Sequence, residues 1–273
     1  MTEIIKTLLF RLKKTTYFWI WLAIALLLPV FGALLIYLSL KMGEALNEPI
    51  EQLMNQMLAQ YGGLSGLMSG FTSISSNPMI LSIIFASVFL SAEFKSGTVR
   101  NAIIAGKSRS QLYLSYYLVA LIGGFGIFVV YFLSAFVSMG LVFRFDATGN
   151  MVTELLYCFL LGLLAIVFVQ TLVCAFLFNT RSRVLTIVIP LIICILGPGI
   201  IATIVETVSV KDIIANGYID VYSLQYVPFY NTTLLAATKF STANVLMIIA
   251  YYVVFSSAIF CASYFPFHKA DLK

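Results

Sequence analysis

A chain of 273 residues that is 61% hydrophobic and only 10% charged, with a mean hydropathy of +1.02, is too apolar for a water-soluble globule, where about half the residues are apolar and about a quarter charged. It reads as an all-α, polytopic integral membrane protein. The formal charge of +5 is distributed as an orientation signal across a membrane and implies no nucleic-acid partner.

From Thr2 to Thr16, Ile4, Ile5, Leu8, Leu9 and Leu12 fall on one helical face, with Glu3, Lys6, Thr7, Arg11, Lys13 and Lys14 elsewhere. This pattern predicts an amphipathic helix over 1–16. It lies in the inner membrane interface, or else it is a basic flank that only orients the first span. The apolar run from Tyr17 to Leu40 has 24 residues and no small-residue cleavage pattern after it, so it reads as a span and not as a signal peptide. About 20 apolar residues cross a hydrocarbon core of about 30 Å. Runs over 71–92, 112–143, 151–178, 184–205 and 244–265 meet the same requirement, which predicts six transmembrane helices in a single domain.

After the first span, Leu46, Ile50, Leu53, Met54, Met57 and Leu58 recur at helical spacing, predicting a short outer helix or an extension of the span. Gly62, Gly66 and Gly70 form either a smooth packing face or a loop. The third span, 32 residues long, would extend about 48 Å as a helix and must tilt or project as a stalk. Its Gly123, Gly124 and Gly126 predict a kink or a tight helix contact. The short 144–150 turn predicts that the third and fourth spans are antiparallel neighbours. In the fourth, Gln170 and Asn179 either line a path or, for Gln170, bond across helices. In the fifth, Pro190 and Gly197-Pro198-Gly199 predict a break or sharp bend, and 206–243 forms a large outer connection.

With both termini inside, the inner segments carry twelve basic and three acidic residues, and the outer segments four basic and eight acidic. The excess of Lys and Arg on the cytoplasmic side makes this the predicted orientation. It places a polar island, 93–111 (EFKSGTVRNAIIAGKSRSQ), in the cytoplasm between the second and third spans. There, a short amphipathic helix over Thr98 to Ala105 would let Val99, Ile103 and Ile104 enter a cleft on a partner while Arg100, Lys107 and Arg109 pair with its acids.

Catalytic chemistry finds few components. The one histidine, His268, lies in the C-terminal tail, and Cys158, Cys174, Cys194 and Cys261 sit in apolar runs without a CxxC, so no metal site is expected and the cysteines read as packing residues. Gly106-Lys107-Ser108 resembles the end of a phosphate-binding loop, but Asn101 stands where that loop needs glycine. No stretch is long enough for a nucleotide-binding domain.

These residues resemble the permease subunits of type 2 ABC exporters, six-helix proteins whose ATPase is a separate chain. The likeness lies in the helix before the first span and in the island, where Glu93, Gly97-Thr98, Arg100-Asn101 and Ser108-Arg109 follow the family's order. The large 206–243 connection adds to it. Gly106-Lys107 and Ser115-Tyr116 stand where relatives often have Pro before the Ser-Arg pair and Lys at the start of the third helix. The resemblance implies a non-enzymatic, multi-pass subunit of a bacterial plasma membrane that binds no cofactor itself. ATP and Mg would be bound by an ABC ATPase partner acting on Glu93, Phe94, Gly97, Thr98, Val99, Arg100, Ile103, Ile104, Lys107 and Arg109. It further implies pairing with a second permease copy or a similar permease. The path then lies between the two, with Gln170, Asn179, Gly197 and Pro198 as candidate residues. The substrate class implied is broad, a peptide, lipid or other amphiphile. A stand-alone ion- or proton-coupled carrier and a membrane immunity or scaffold protein are the alternatives.

Overall fold

The computed structural model describes residues 2–45, 76–143, 151–215 and 242–269, and in these the regular structure is helical throughout. The helices are α1 (Thr2–Lys14), α2 (Thr16–Ala45), α3 (Asn77–Lys95), α4 (Thr98–Ile104), α5 (Arg109–Phe143), α6 (Met151–Thr180), α7 (Arg183–Ala215) and α8 (Thr242–Lys269). Among the described residues α2, α3, α5, α6, α7 and α8 are long and apolar enough to cross a membrane. The expectations for Leu46 to Gly70, for the 144–150 turn and for 216–241 lie outside the described residues.

α1 has Glu3 in its first turn and Arg11, Lys13 and Lys14 in its last, an order that favours both ends of the helix dipole. Its apolar stripe is spent on protein: Leu8 and Leu12 are each 3% exposed, and Ile4, Ile5 and Leu9 pack on the same core, against α5 and α2. Phe10 is left outside that contact, with the Lys14 ammonium 4.6 Å above its ring.

α3, α5 and α6 pack on one another, with α2 laid along α5, α8 along α6, and α7 against α6 and α3. Close approach comes from missing side chains. A Cβ on Gly123 would run into the Phe85 ring, one on Gly162 into the Phe128 ring, and one on Gly124 would lie 2.7 Å from Gln170 Nε2. Gly123 and Gly124 thus seat α5 against α3 and α6 respectively, and α5 continues unbroken to Phe143. Hydroxyls and amides join the same seams: Gln170 Nε2 donates to the Ser82 carbonyl (3.2 Å), Ser87 Oγ to the Thr186 carbonyl (3.0 Å), and Tyr117 Oη meets Thr171 Oγ1 at 2.9 Å. Bonds of this kind between membrane helices contribute about 0.6 kcal/mol each, so they specify register more than they stabilise.

Of the break or sharp bend expected in the fifth span, the break does not occur. α7 runs through Pro190 and Pro198 and on to Ala215, ten residues beyond the expected end at Val205 and into the segment assigned to the outer connection. Each proline frees one carbonyl of the preceding turn and crowds it, which a membrane helix tolerates where neighbouring groups satisfy that carbonyl again. Thr203 Oγ1 donates to the Gly199 carbonyl at 2.9 Å and adds a bond just past the triplet.

Candidate functional site

The polar island folds as a short helix clamped at one end of the bundle. α3 ends at Ser96, whose N–H bonds the Ala92 carbonyl. Gly97 then turns the chain with φ 70°, and its carbonyl accepts the first bond of α4, from Asn101 N–H at 2.9 Å. At the far end Gly106 reverses the chain with φ 81°, and Gly106 and Lys107 N–H close onto the Ile103 and Ala102 carbonyls. Both turns need a left-handed backbone, in which a side chain costs about 1 kcal/mol or more. Gly106-Lys107-Ser108 is accordingly the joint between α4 and α5.

Glu93, 8% exposed, accepts a 2.7 Å charge-assisted hydrogen bond from Arg11 Nη1. The same nitrogen lies 3.4 Å from Thr98 Oγ1. Thr98 in turn shares a 2.7 Å contact with Ser96 Oγ, which donates to the Glu93 carbonyl. A carboxylate this enclosed needs such a partner, and the partner comes from α1. Two weaker ties flank it: Lys107 Nζ lies 3.7 Å from Glu3, and Arg109 Nη1 donates to the His268 carbonyl at 3.3 Å.

The island's apolar residues divide between the two sides of α4. Val99 is 3% exposed and belongs to the core, Ile103 is half-buried, and Ile104 is 75% exposed beside exposed Arg100 and Asn101. Phe94 carries the island into the bundle: its ring meets Phe178 edge-on at 5.2 Å and Tyr116 at 6.4 Å. Phe178 continues to Tyr113 (4.6 Å) and Phe267 (4.7 Å). Ring pairs of this geometry add about 0.5–1.5 kcal/mol each beyond their buried area, and together they join α3, α5, α6 and α8.

The pathway candidates are not brought together. Gln170 is fully buried where α6 meets Ser82 of α3 and Gly124 of α5, and its Oε1 has no hydrogen-bond partner among the described residues. Asn179 is exposed near the end of α6 and donates to its own helix at Ala175. Gly197 and Pro198 are half-buried on α7. Cys158, Cys174 and Cys194 are buried and Cys261 is exposed. Among the described residues no group of three or more His, Cys, Asp or Glu converges as a metal site.

Sequence reasoning missed Arg11, Glu3, Tyr116 and Phe178 as parts of this site. The available signal was Glu93 itself, an acid at the end of an apolar span that required a cation. Arg11, next to Leu12 and one turn from Leu8, is the basic residue that the apolar stripe of α1 carries inward.

Residues 4–197 match the family model of the ABC-2 family transporter protein. The chain belongs to this family, and is a membrane component of an ABC transporter whose family membership implies an ATPase partner. Neither a curated protein nor a solved structure matches the chain significantly.

Proposed function

We propose that this chain is the permease subunit of an ABC exporter in a bacterial plasma membrane, with both termini in the cytoplasm, and that a separate ATPase drives it through residues 93–111. The observation that carries this reading is the two-sidedness of α4. Val99 and the Arg11 to Thr98 contact hold the helix to the bundle, while Arg100, Asn101 and Ile104 face away from it. An apolar residue so exposed beside a cation suits a cleft with an acidic rim on a partner.

A push on α4 would pass by two routes. One runs through Glu93 and Arg11 to α1, and the other through Phe94 to the aromatic cluster on α5, α6 and α8. Lys107 and Arg109 hold the far side of the island to α1 and α8, and Gly97 and Gly106 set the angle at which α4 is presented. ATP and Mg are bound and turned over on the ATPase, and this chain contributes no catalytic group.

One copy supplies half of a path, completed by a second copy or a similar permease, with α3 and α7 as its walls. Gly197 and Pro198 lie on α7, and Asn179 lies near the inner mouth. Gln170, enclosed by α3 and α5, would reach a path only when those helices separate. Peptides, lipids and other amphiphiles fit the family equally, and no side chain selects among them.

The test is co-purification of the full chain with its ATPase, comparing wild type with Arg100→Glu and Ile104→Asp. Loss of association, with the chain still folded and monodisperse, is the expected result; unchanged association and transport would sink the docking proposal.

A further inference from the structure

Apart from the exposed face of α4, a second basic feature lies at the end of α3. Ser91, Phe94, Lys95, Ser96, Arg181 and Arg183 line an open cleft of about 600 Å³ between the end of α3 and the turn from α6 to α7. Among the described residues that line it, three are cations and none is an acid. Glu93, the nearest acid in sequence, is engaged by Arg11, and no residue of α4 lines the cleft.

Its level and surroundings define what it can hold. The candidate spans of α3 and α6 end at Lys95 and Thr180, and that of α7 begins at Arg183. The cleft therefore sits where apolar length gives way to headgroups. From its rim α7 exposes Val184, Leu185 and Val188, which are 66%, 44% and 41% exposed, so a charged pocket continues into an apolar strip. Arg181 takes a left-handed backbone, φ 53°, where glycine would be less strained, and the arginine found there contributes its side chain to the lining. Guanidinium groups match phosphate oxygens in paired hydrogen bonds, and a lysine adds a point charge.

We infer that this cleft binds the phosphate headgroup of an anionic membrane phospholipid. Arg183 and Lys95 hold the phosphate, Arg181 adds a third positive charge, and the acyl chains start along Val184, Leu185 and Val188 at the beginning of α7. An acidic segment of the ATPase is a less suitable occupant, because it would need no apolar strip and would approach from α4. The assignment requires a headgroup layer at this level and does not depend on the coupling role proposed for α4.

The purified full chain, in detergent, is titrated with phosphatidylglycerol or phosphatidylcholine and its bound lipids counted by native mass spectrometry. Phosphatidylglycerol should be preferred, and Lys95→Gln with Arg183→Gln should weaken its binding by about fivefold for each charge removed. Arg183→Lys should retain most of the binding, and Lys6→Gln with Lys13→Gln all of it. If the double variant aggregates, Lys95→Gln alone is read, with an expected loss of about fivefold. Equal binding of the two lipids, or undiminished phosphatidylglycerol binding in a folded variant, would overturn the inference. So would displacement by inorganic phosphate at matched concentration, which would mark a free-anion site. Loss of ATPase association with lipid binding intact would overturn it too, and would assign the cleft to a protein contact.

Discussion

α2 and α6 are almost equally apolar, yet 17% of the residues in the most apolar window of α2 are buried against 72% in that of α6. The same division runs through the other spans. α3, the least apolar of the six, has 67% of its window buried, and the more apolar α7 and α8 have 17% each. Apolarity therefore qualifies a helix to enter a bilayer without deciding which of its neighbours it faces, because lipid tails solvate leucine as well as another leucine does. Shape separates the two sets. In α5 and α6, Gly123, Gly124 and Gly162 each receive a side chain from a neighbouring helix, whereas at Gly32 of α2 and Gly199 of α7 an added methyl would find nothing within 4 Å. Buried polar groups occur in both sets and bond across them, Ser87 of α3 to the Thr186 carbonyl of α7 and Tyr113 of α5 to Ser263 of α8.

Substitutions can break this contrast or sharpen it. The largest effect should come from Gly162→Leu, which drives a side chain into the Phe128 ring and should cost about 3 kcal/mol by overpacking. Gly199→Ala, facing open space, should cost nothing and can gain up to about 1 kcal/mol through helix propensity. Thermal melting of the purified chain distinguishes the two, and equal effects would dissolve the contrast. Next is Glu93→Ala, which removes the acceptor from Arg11. Because the Arg11 side chain is 44% exposed and keeps part of its hydration, the expected cost is about 2 kcal/mol, below that of stranding a fully buried charge. A double-mutant cycle with Arg11→Ala isolates the pair, while Arg100→Ala on the outward side of α4 should leave stability within about 0.5 kcal/mol. Gly97→Ala should cost about 1 kcal/mol for its left-handed backbone and should weaken ATPase association by misaiming α4. Smallest is Ile195→Ala on the outward face of α7, within about 0.5 kcal/mol for the isolated chain in detergent. If a second copy covers α7 at Ile195, beyond the Val184 to Val188 stretch assigned to lipid, the same change should lower the dimer fraction measured by light scattering.

The helices at 17–40, 112–143 and 151–178 were legible because long uninterrupted apolar runs have few alternatives in water or lipid. The fifth span was less so. Its prolines suggest a break, but each of them frees one carbonyl that neighbouring groups can satisfy again, and the helix continues to Ala215. The island was legible as a polar interruption with two glycines, and half of its chemistry was not. Val99 and Ile104, both apolar and five positions apart, look interchangeable in sequence, yet one is 3% and the other 75% exposed.

By itself the sequence determined that six helices are apolar enough to span a membrane, that charge gathers in the segments at one set of their ends, and that a short polar segment with amphipathic character interrupts them. These are properties of local composition, and local composition acts without reference to distant residues. Only the tertiary structure decided that the apolar stripe of α1 packs on protein and that Arg11 answers Glu93. It also decided that Phe94 enters the aromatic cluster, and that Lys95, Arg181 and Arg183 share one cleft. Each of these joins residues dozens of positions apart, and such meetings depend on how glycines, rings and hydroxyls let helices approach, which hydropathy does not encode.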